Sequence, residues 1–170
     1  MPDQIAIPEE FPVAGAVAGK RVVITGAGRG LGTLVAHAFS RAGASVALVA
    51  RTERDLKAVA AALGGPVLVL AGDVTDEDFN EAVADAVVAV WGGLDVWLAN
   101  AGISPVVGGP RATDPSVWRR VLEVNLTGAF LGARAAARVM AEGGRIIFTG
   151  SVLGERPRQG LGAYSASRRA

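Results

Sequence analysis

The chain has 170 residues, 51% of them hydrophobic and 19% charged, with 23 glycines and no cysteine. That length suits one domain with a sizeable buried core, and the apolar content excludes a disordered chain. Lys plus Arg is 17 against 16 for Asp plus Glu, a net charge of +1, so no global field draws the protein onto nucleic acid or an anionic membrane, and the lack of cysteine excludes disulfides, thiolate metal sites and cysteine nucleophiles.

Residues 1–19 read as a lead that carries Asp3, Glu9 and Glu10 and no basic residue before Lys20. A secretory signal needs a positive n-region and an apolar run, and this lead has neither. No stretch reaches the roughly 18 uninterrupted apolar residues of a membrane span. A cytoplasmic protein is expected, with no membrane or nucleic-acid partner.

Residues 20–170 read as one domain. Arg21–Thr25 is a short apolar run that ends in a glycine cluster, and Leu31–Ala42 follows with apolar residues at helical spacing. Ser45–Ala50 predicts a second strand. Thr52–Leu63 reads as a helix with Thr52 at its N-cap and Asp55 three residues on. Val67–Ala71 predicts a third strand, and Thr75 with Asp78 repeats the capping pattern before a helix to about Trp91. Val96–Ala99 is the fourth strand. Asp114 and Pro115 open a long helix through Met140, and Arg145–Thr149 is the fifth strand.

Continuous rather than alternating apolar runs are what strands buried on both faces require. With a helix between successive strands, they predict a doubly wound parallel sheet of Rossmann type in three α/β/α layers.

The strongest motif is Thr25-Gly26-Ala27-Gly28-Arg29-Gly30-Leu31-Gly32, set between the first strand and the first helix. Glycines let a backbone approach a pyrophosphate without Cβ clashes, and a helix start offers free N–H groups and the positive end of its dipole. A P-loop is excluded because no Gly-Lys-Ser/Thr follows.

The spacing Gly26-x3-Gly30-x-Gly32 resembles that of the classical short-chain dehydrogenase/reductase family. An extended-type epimerase fits less well, because its glycines usually fall as Gly-x2-Gly-x2-Gly. Further segments carry the resemblance through residue 167. Asp73-Val74 matches the family's adenine-contacting pair. Asn100-Ala101-Gly102 matches its Asn-Ala-Gly run, with Ala99 in place of a preceding Asn. Asn125, Ser151 and Tyr164 stand where the family has its catalytic Asn, Ser and Tyr. The resemblance implies binding of a nicotinamide dinucleotide through Gly26, Gly28, Arg29, Gly30, Leu31, Gly32, Asp73, Val74, Asn100, Ala101 and Gly102. It implies hydride exchange with a small ketone or aldehyde and its alcohol.

An NAD-binding unit usually ends its second strand with an acid for the ribose 2′-OH. Here that position is Ala50, and Arg51 follows. A cation just before a helix start opposes the helix dipole, which suggests an anionic partner. Arg51, with Arg29 from the glycine loop, is therefore expected to favour NADP(H), NAD(H) being the second coenzyme. Glu53 is the acid that would serve a 2′-OH instead.

The family's chemistry implies that Tyr164 exchanges a proton with the substrate oxygen, that Ser151 hydrogen-bonds that oxygen and that Asn125 holds a water. The family's Lys, four residues after the Tyr, is Arg168 here, and a planar guanidinium does not replace a compact ammonium conservatively. The family's chain also continues through further strands, so this sequence is expected to lack its last strands and its nicotinamide-covering segment. A helix after Tyr164 is expected to be too short to stand without packing, leaving Tyr164 and Arg168 unfixed relative to Ser151. The 170-residue form is then expected to be weak or inactive. The alternatives are a non-catalytic dinucleotide-binding protein or an inactive truncated fragment. A longer form is expected to be a homo-oligomer.

His37, alone among histidines, is expected to be structural, and a zinc site is not expected. Trp91, Trp97 and Trp118 read as packing residues and Asp95 as a turn residue. Leu153–Ala163 reads as a loop bordering the substrate, with Arg156 and Arg158 as solvated charges.

Overall fold

The computed structural model describes residues 17–109 and 111–169; the lead over residues 1–16 lies outside them. The elements are β1 (Arg21–Thr25), α1 (Gly30–Arg41), β2 (Ser45–Ala50), α2 (Glu53–Ala61), β3 (Val67–Ala71), α3 (Glu77–Trp91) and β4 (Val96–Ala99). There follow α4 (Pro115–Leu122), a π-helical turn (Glu123–Thr127), α5 (Gly128–Val139), β5 (Arg145–Phe148), α6 (Val152–Glu155) and α7 (Gly162–Arg169). All strand pairs are parallel, in the order β3-β2-β1-β4-β5. This is the doubly wound sheet that the apolar runs predict.

Successive residues of β1 explain why its run is continuous. Val22 and Ile24 face one core with Ala36, Leu48 and Leu56, whereas Val23 faces the other with Val83, Val87 and Trp97. Both faces are covered, so alternation would bury polar groups without partners. Trp97 is fully buried, and α5 crosses it at Gly132, where a Cβ would come within 2.8 Å of the indole. The strand order reverses between β1 and β4, and the C-terminal strand ends there frame a crevice.

Several local expectations are corrected. The helix expected over Asp114–Met140 widens into the π turn at its middle and ends at Val139. The α3 cap is Asp76, whose carboxylate accepts from Phe79 N at 3.2 Å. Thr75 stands one residue ahead of the cap position, and its hydroxyl donates to Asp73 at 2.9 Å. At α2, Thr52 holds the N-cap position without a side-chain cap bond. The Leu153–Ala163 stretch is partly helical, with α6 ahead of a loop and α7 starting at Gly162. Trp118 is 41% exposed rather than packed.

Asp95 is more than a turn residue. It accepts from Arg21 N at 2.9 Å and Arg21 Nε at 2.6 Å, and Lys20 Nζ lies 3.6 Å away. This ties the N-terminal ends of β1 and β4 together. The hydrogen bonds from the Arg21 side chain hold the Asp95 carboxyl at about 2, against the opposing effect of its partial burial.

Candidate functional site

The turn after β1 is built by close backbone approach. Gly26 has φ +69°, and a Cβ there would stand 2.8 Å from Ala101 Cα. A Cβ on Gly32 would overlap the Gly26 carbonyl. Glycine is thus demanded at both positions by space, and at Gly26 by conformation as well. The first turn of α1 is left without side-chain capping: its N-cap residue is Arg29, which makes no cap bond. Main-chain N–H groups at such a start are free for an anion.

Thr25 fixes the opposite wall. Its hydroxyl oxygen accepts from Asn100 N and Ala101 N at 3.0 Å and donates to Leu98 O at 3.3 Å. Asn100 returns the tie, with Nδ2 donating to Thr25 O at 2.9 Å and Oδ1 accepting from the Thr149 hydroxyl at 3.3 Å. One threonine therefore registers the β4 exit against the β1 exit. The sequence reading missed it, although it heads the glycine string.

Between these walls lies a cleft of about 490 Å³. Every residue expected to meet the dinucleotide lines it: Gly26, Gly28, Arg29, Gly30, Leu31, Gly32, Arg51, Asp73, Val74, Asn100, Ala101 and Gly102. Asp55, Ile103, Arg120 and Val124 line it too and were not foreseen. Asp73 accepts from Thr75 N at 3.0 Å and from Arg120 Nη2 at 2.9 Å. Partial burial pushes the Asp73 carboxyl up, but the Thr75 and Arg120 hydrogen bonds together hold it below the ordinary carboxylate value.

The residues expected to act on substrate, Asn125, Ser151, Tyr164 and Arg168, are not part of that lining. Asn125 lies in the π turn and is 2% exposed. Its Oδ1 accepts from Ile103 N at 2.8 Å, and its Nδ2 donates to Ile103 O and Ser167 Oγ, both at 3.0 Å. Ser151 is the N-cap of α6 and accepts from Leu153 N at 3.2 Å. Tyr164 is on α7, where Arg168 follows one turn later. Arg168 Nη1 donates to Thr149 O at 2.8 Å and Nη2 to Ala101 O at 3.3 Å. Its Nε is buried without a partner among the described residues.

These contacts correct one expectation. The α7 helix is short, yet it is anchored: Ser167 meets Asn125, and Arg168 reaches the exits of both β4 and β5. Tertiary bonds supply what length cannot. The close approach also explains Gly102, since a Cβ there would overlap Arg168 Nη2.

The profile of the short chain dehydrogenase family matches residues 20–170. The chain is 36% identical over 157 residues to cis-4-hydroxycyclohexanecarboxylate dehydrogenase of Sinomonas cyclohexanicum, covering 90% of this chain and 63% of that protein. It is 40% identical over 156 residues to tropinone reductase-like 2 of Erythroxylum coca, covering 88% and 56%. A short chain dehydrogenase of Burkholderia cenocepacia J2315, solved in complex with NADP, superposes with a TM-score of 0.84 at 34% identity, covering 91% of this chain and 64% of that one. The chain thus spans less than two thirds of the length of these relatives. Among the described residues, no helix is long and apolar enough to cross a membrane.

Proposed function

The chain belongs to the short-chain dehydrogenase family, and from that premise we propose that it takes part in hydride transfer between NADP(H) and a small ketone or aldehyde and its alcohol. The observation that carries this reading is the convergence of the glycine loop, Asp73-Val74 and Asn100-Ala101-Gly102 on one cleft. That cleft opens at the C-terminal strand ends, where doubly wound sheets take nucleotides. The glycines at 26 and 32 let the loop pack directly against Ala101 and against its own backbone, which brings the start of α1 and its free N–H groups to the cleft. A nicotinamide dinucleotide held there would supply hydride exchange at C4 of its ring.

The remaining roles belong to the chain. The Tyr164 phenol would pass a proton to or from the substrate oxygen. Ser151 accepts a hydrogen bond from Leu153 N, which leaves its hydroxyl hydrogen to donate to that oxygen. Asn125 has both amide hydrogens in use, and one Oδ1 lone pair remains to hold a water. Arg168 would hold α7 in place through Thr149 and Ala101.

Preference for NADP(H) is supported by Arg29 and Arg51, which line the cleft and make no ion pair among the described residues. NAD(H) is the second coenzyme: the acid in the cleft lining is Asp55 rather than the expected Glu53, which pairs with Lys57, and a carboxylate there can accept from a ribose hydroxyl. The two relatives above are named for alicyclic compounds, so alicyclic ketones are the substrate class to test first.

The experiment is loss of NADPH absorbance with a panel of alicyclic ketones. Turnover that is weak in the chain as it stands and disappears in Tyr164→Phe is the expected result. Coenzyme uptake without turnover on any ketone would favour the second reading, a non-catalytic dinucleotide-binding protein. The observation on its side is Arg168, whose guanidinium is committed to two main-chain carbonyls at the position of the family's Lys.

A further inference from the structure

We infer that the cavity on the far side of α4 from the dinucleotide cleft is a second binding site, built for a small organic anion that joins a flat apolar ring to a carboxylate. This site stands independently of the coenzyme reading above.

The cavity holds about 610 Å³, a volume in the range of small-molecule sites. It lies between the start of α4 and the loop ahead of α7, and it shares no lining residue with the dinucleotide cleft. Along α4 and the π turn that continues it, Pro115, Trp118 and Arg119 line this cavity, whereas Arg120 and Val124 line the cleft.

Backbone contacts hold its walls. Val107 N donates to Gly160 O at 3.0 Å, and Leu161 N closes a turn onto Arg158 O at 3.2 Å. Gly160 has φ +81°, and a Cβ there would stand 2.6 Å from Val107 O, so this approach of two loops requires glycine. The stretch after β4 is thereby fastened to the stretch that carries Arg158 and leads into α7.

The chemistry of the lining points to the ligand. Trp118 leaves 41% of its surface accessible, and Pro115 and Pro157 stand in the same lining. These are stiff apolar surfaces against which a ring can pack. Arg119 and Arg158 line the cavity too, and neither guanidinium has a hydrogen-bond or ion-pair partner among the described residues. The lining contains no acid. Asp114, beside it, attracts Arg119, but its carboxylate is committed to the α4 cap, accepting from Ser116 N at 2.7 Å. Two guanidiniums with free donors on an apolar cavity suit a carboxylate, which each can bind through paired N–H groups. A ligand cation would be repelled. An occupant would also touch α7, since Gly162 and Ala163 line the cavity directly ahead of Tyr164.

The test is calorimetric titration of the chain with benzoate and with benzamide, which has nearly the same shape and no charge. Benzoate is expected to bind one-to-one and about tenfold more tightly than benzamide, the margin that one charge-assisted contact supplies. Arg119→Ala and Arg158→Ala, both at exposed positions, are each expected to weaken benzoate about fivefold or more and to leave benzamide within about twofold. Trp118→Ala is expected to weaken both ligands. Saturating NADPH is expected to leave benzoate affinity within about twofold, as for sites with no shared residue. No uptake of benzoate, equal affinity for the two ligands, benzoate binding that neither arginine substitution moves, or its loss on adding NADPH overturns this inference. Each of those results leaves the coenzyme reading standing, and a chain that takes up benzoate as expected but no NADPH overturns the coenzyme reading alone.

Discussion

The guanidinium of Arg168 stands over the ring of Tyr164, 5.6 Å from its centroid, while its two terminal nitrogens donate to Thr149 O and Ala101 O. One cation therefore touches the tyrosine helix and the exits of β5 and β4. The planar fork suits this task, because two N–H groups leave it in fixed and divergent directions. Arg168→Ala leaves both carbonyls without that donor, and each lost bond is worth about 1 kcal/mol. Added to the lost ring contact, a fall of about 2–3 kcal/mol in unfolding free energy is expected in urea denaturation. Arg168→Lys is expected to recover less than half of it.

Gly32→Ala tests the cradle. The added methyl would overlap the Gly26 carbonyl, and rigid backbone on both sides leaves it no room to relax. Forcing one methyl into such a contact costs about 1–3 kcal/mol. The turn around Gly26 is expected to open, weakening NADPH binding more than tenfold while the far-ultraviolet circular dichroism stays that of a folded α/β protein.

Acid should loosen the β1–β4 end of the sheet. Asp95 is lowered from 3.8 to about 2 by its bonds with Arg21, so its ionised form is favoured in the folded state. Its contribution is complete above about pH 4 and is lost as pH falls through about 2. A shift of that size corresponds to about 2 kcal/mol. Stability measured between pH 5 and pH 2 is expected to fall less steeply in Asp95→Asn than in the native chain.

Arg51→Ala addresses the choice of coenzyme. Removal of a charge-assisted contact to a 2′-phosphate costs about 1.5–3 kcal/mol. NADPH affinity is expected to fall tenfold or more and NADH affinity to stay within about twofold. An equal change for both would return Arg51 to the solvated surface.

The centre of the sheet was legible in the sequence because both faces of β1 are covered. Val22, Val23 and Ile24 must all be apolar when consecutive side chains enter opposite cores. The glycine string was legible for a similar reason, since space at Gly26 and Gly32 admits nothing larger. What stayed hidden depends on partners distant along the chain. Arg120 looks like any helical arginine until α4 is laid beside the exit of β3, and Thr25 looks like the last residue of a strand until the β4 exit returns to it. The capping of α3 was misread by one residue, because the helix starts at Glu77 and the acceptor for Phe79 N is Asp76. The π turn carries no compositional mark, yet it places Asn125 against Ile103 and Ser167. The anchoring of α7 was missed because its bonds come from other elements rather than from its own length.

Calorimetric titration of the purified chain with NADPH, run beside Gly32→Ala, measures the dinucleotide cradle itself. Saturable one-to-one uptake by the native chain, weakened more than tenfold in the variant, is the result expected. A folded native chain that takes up neither NADPH nor NADH would contradict the account.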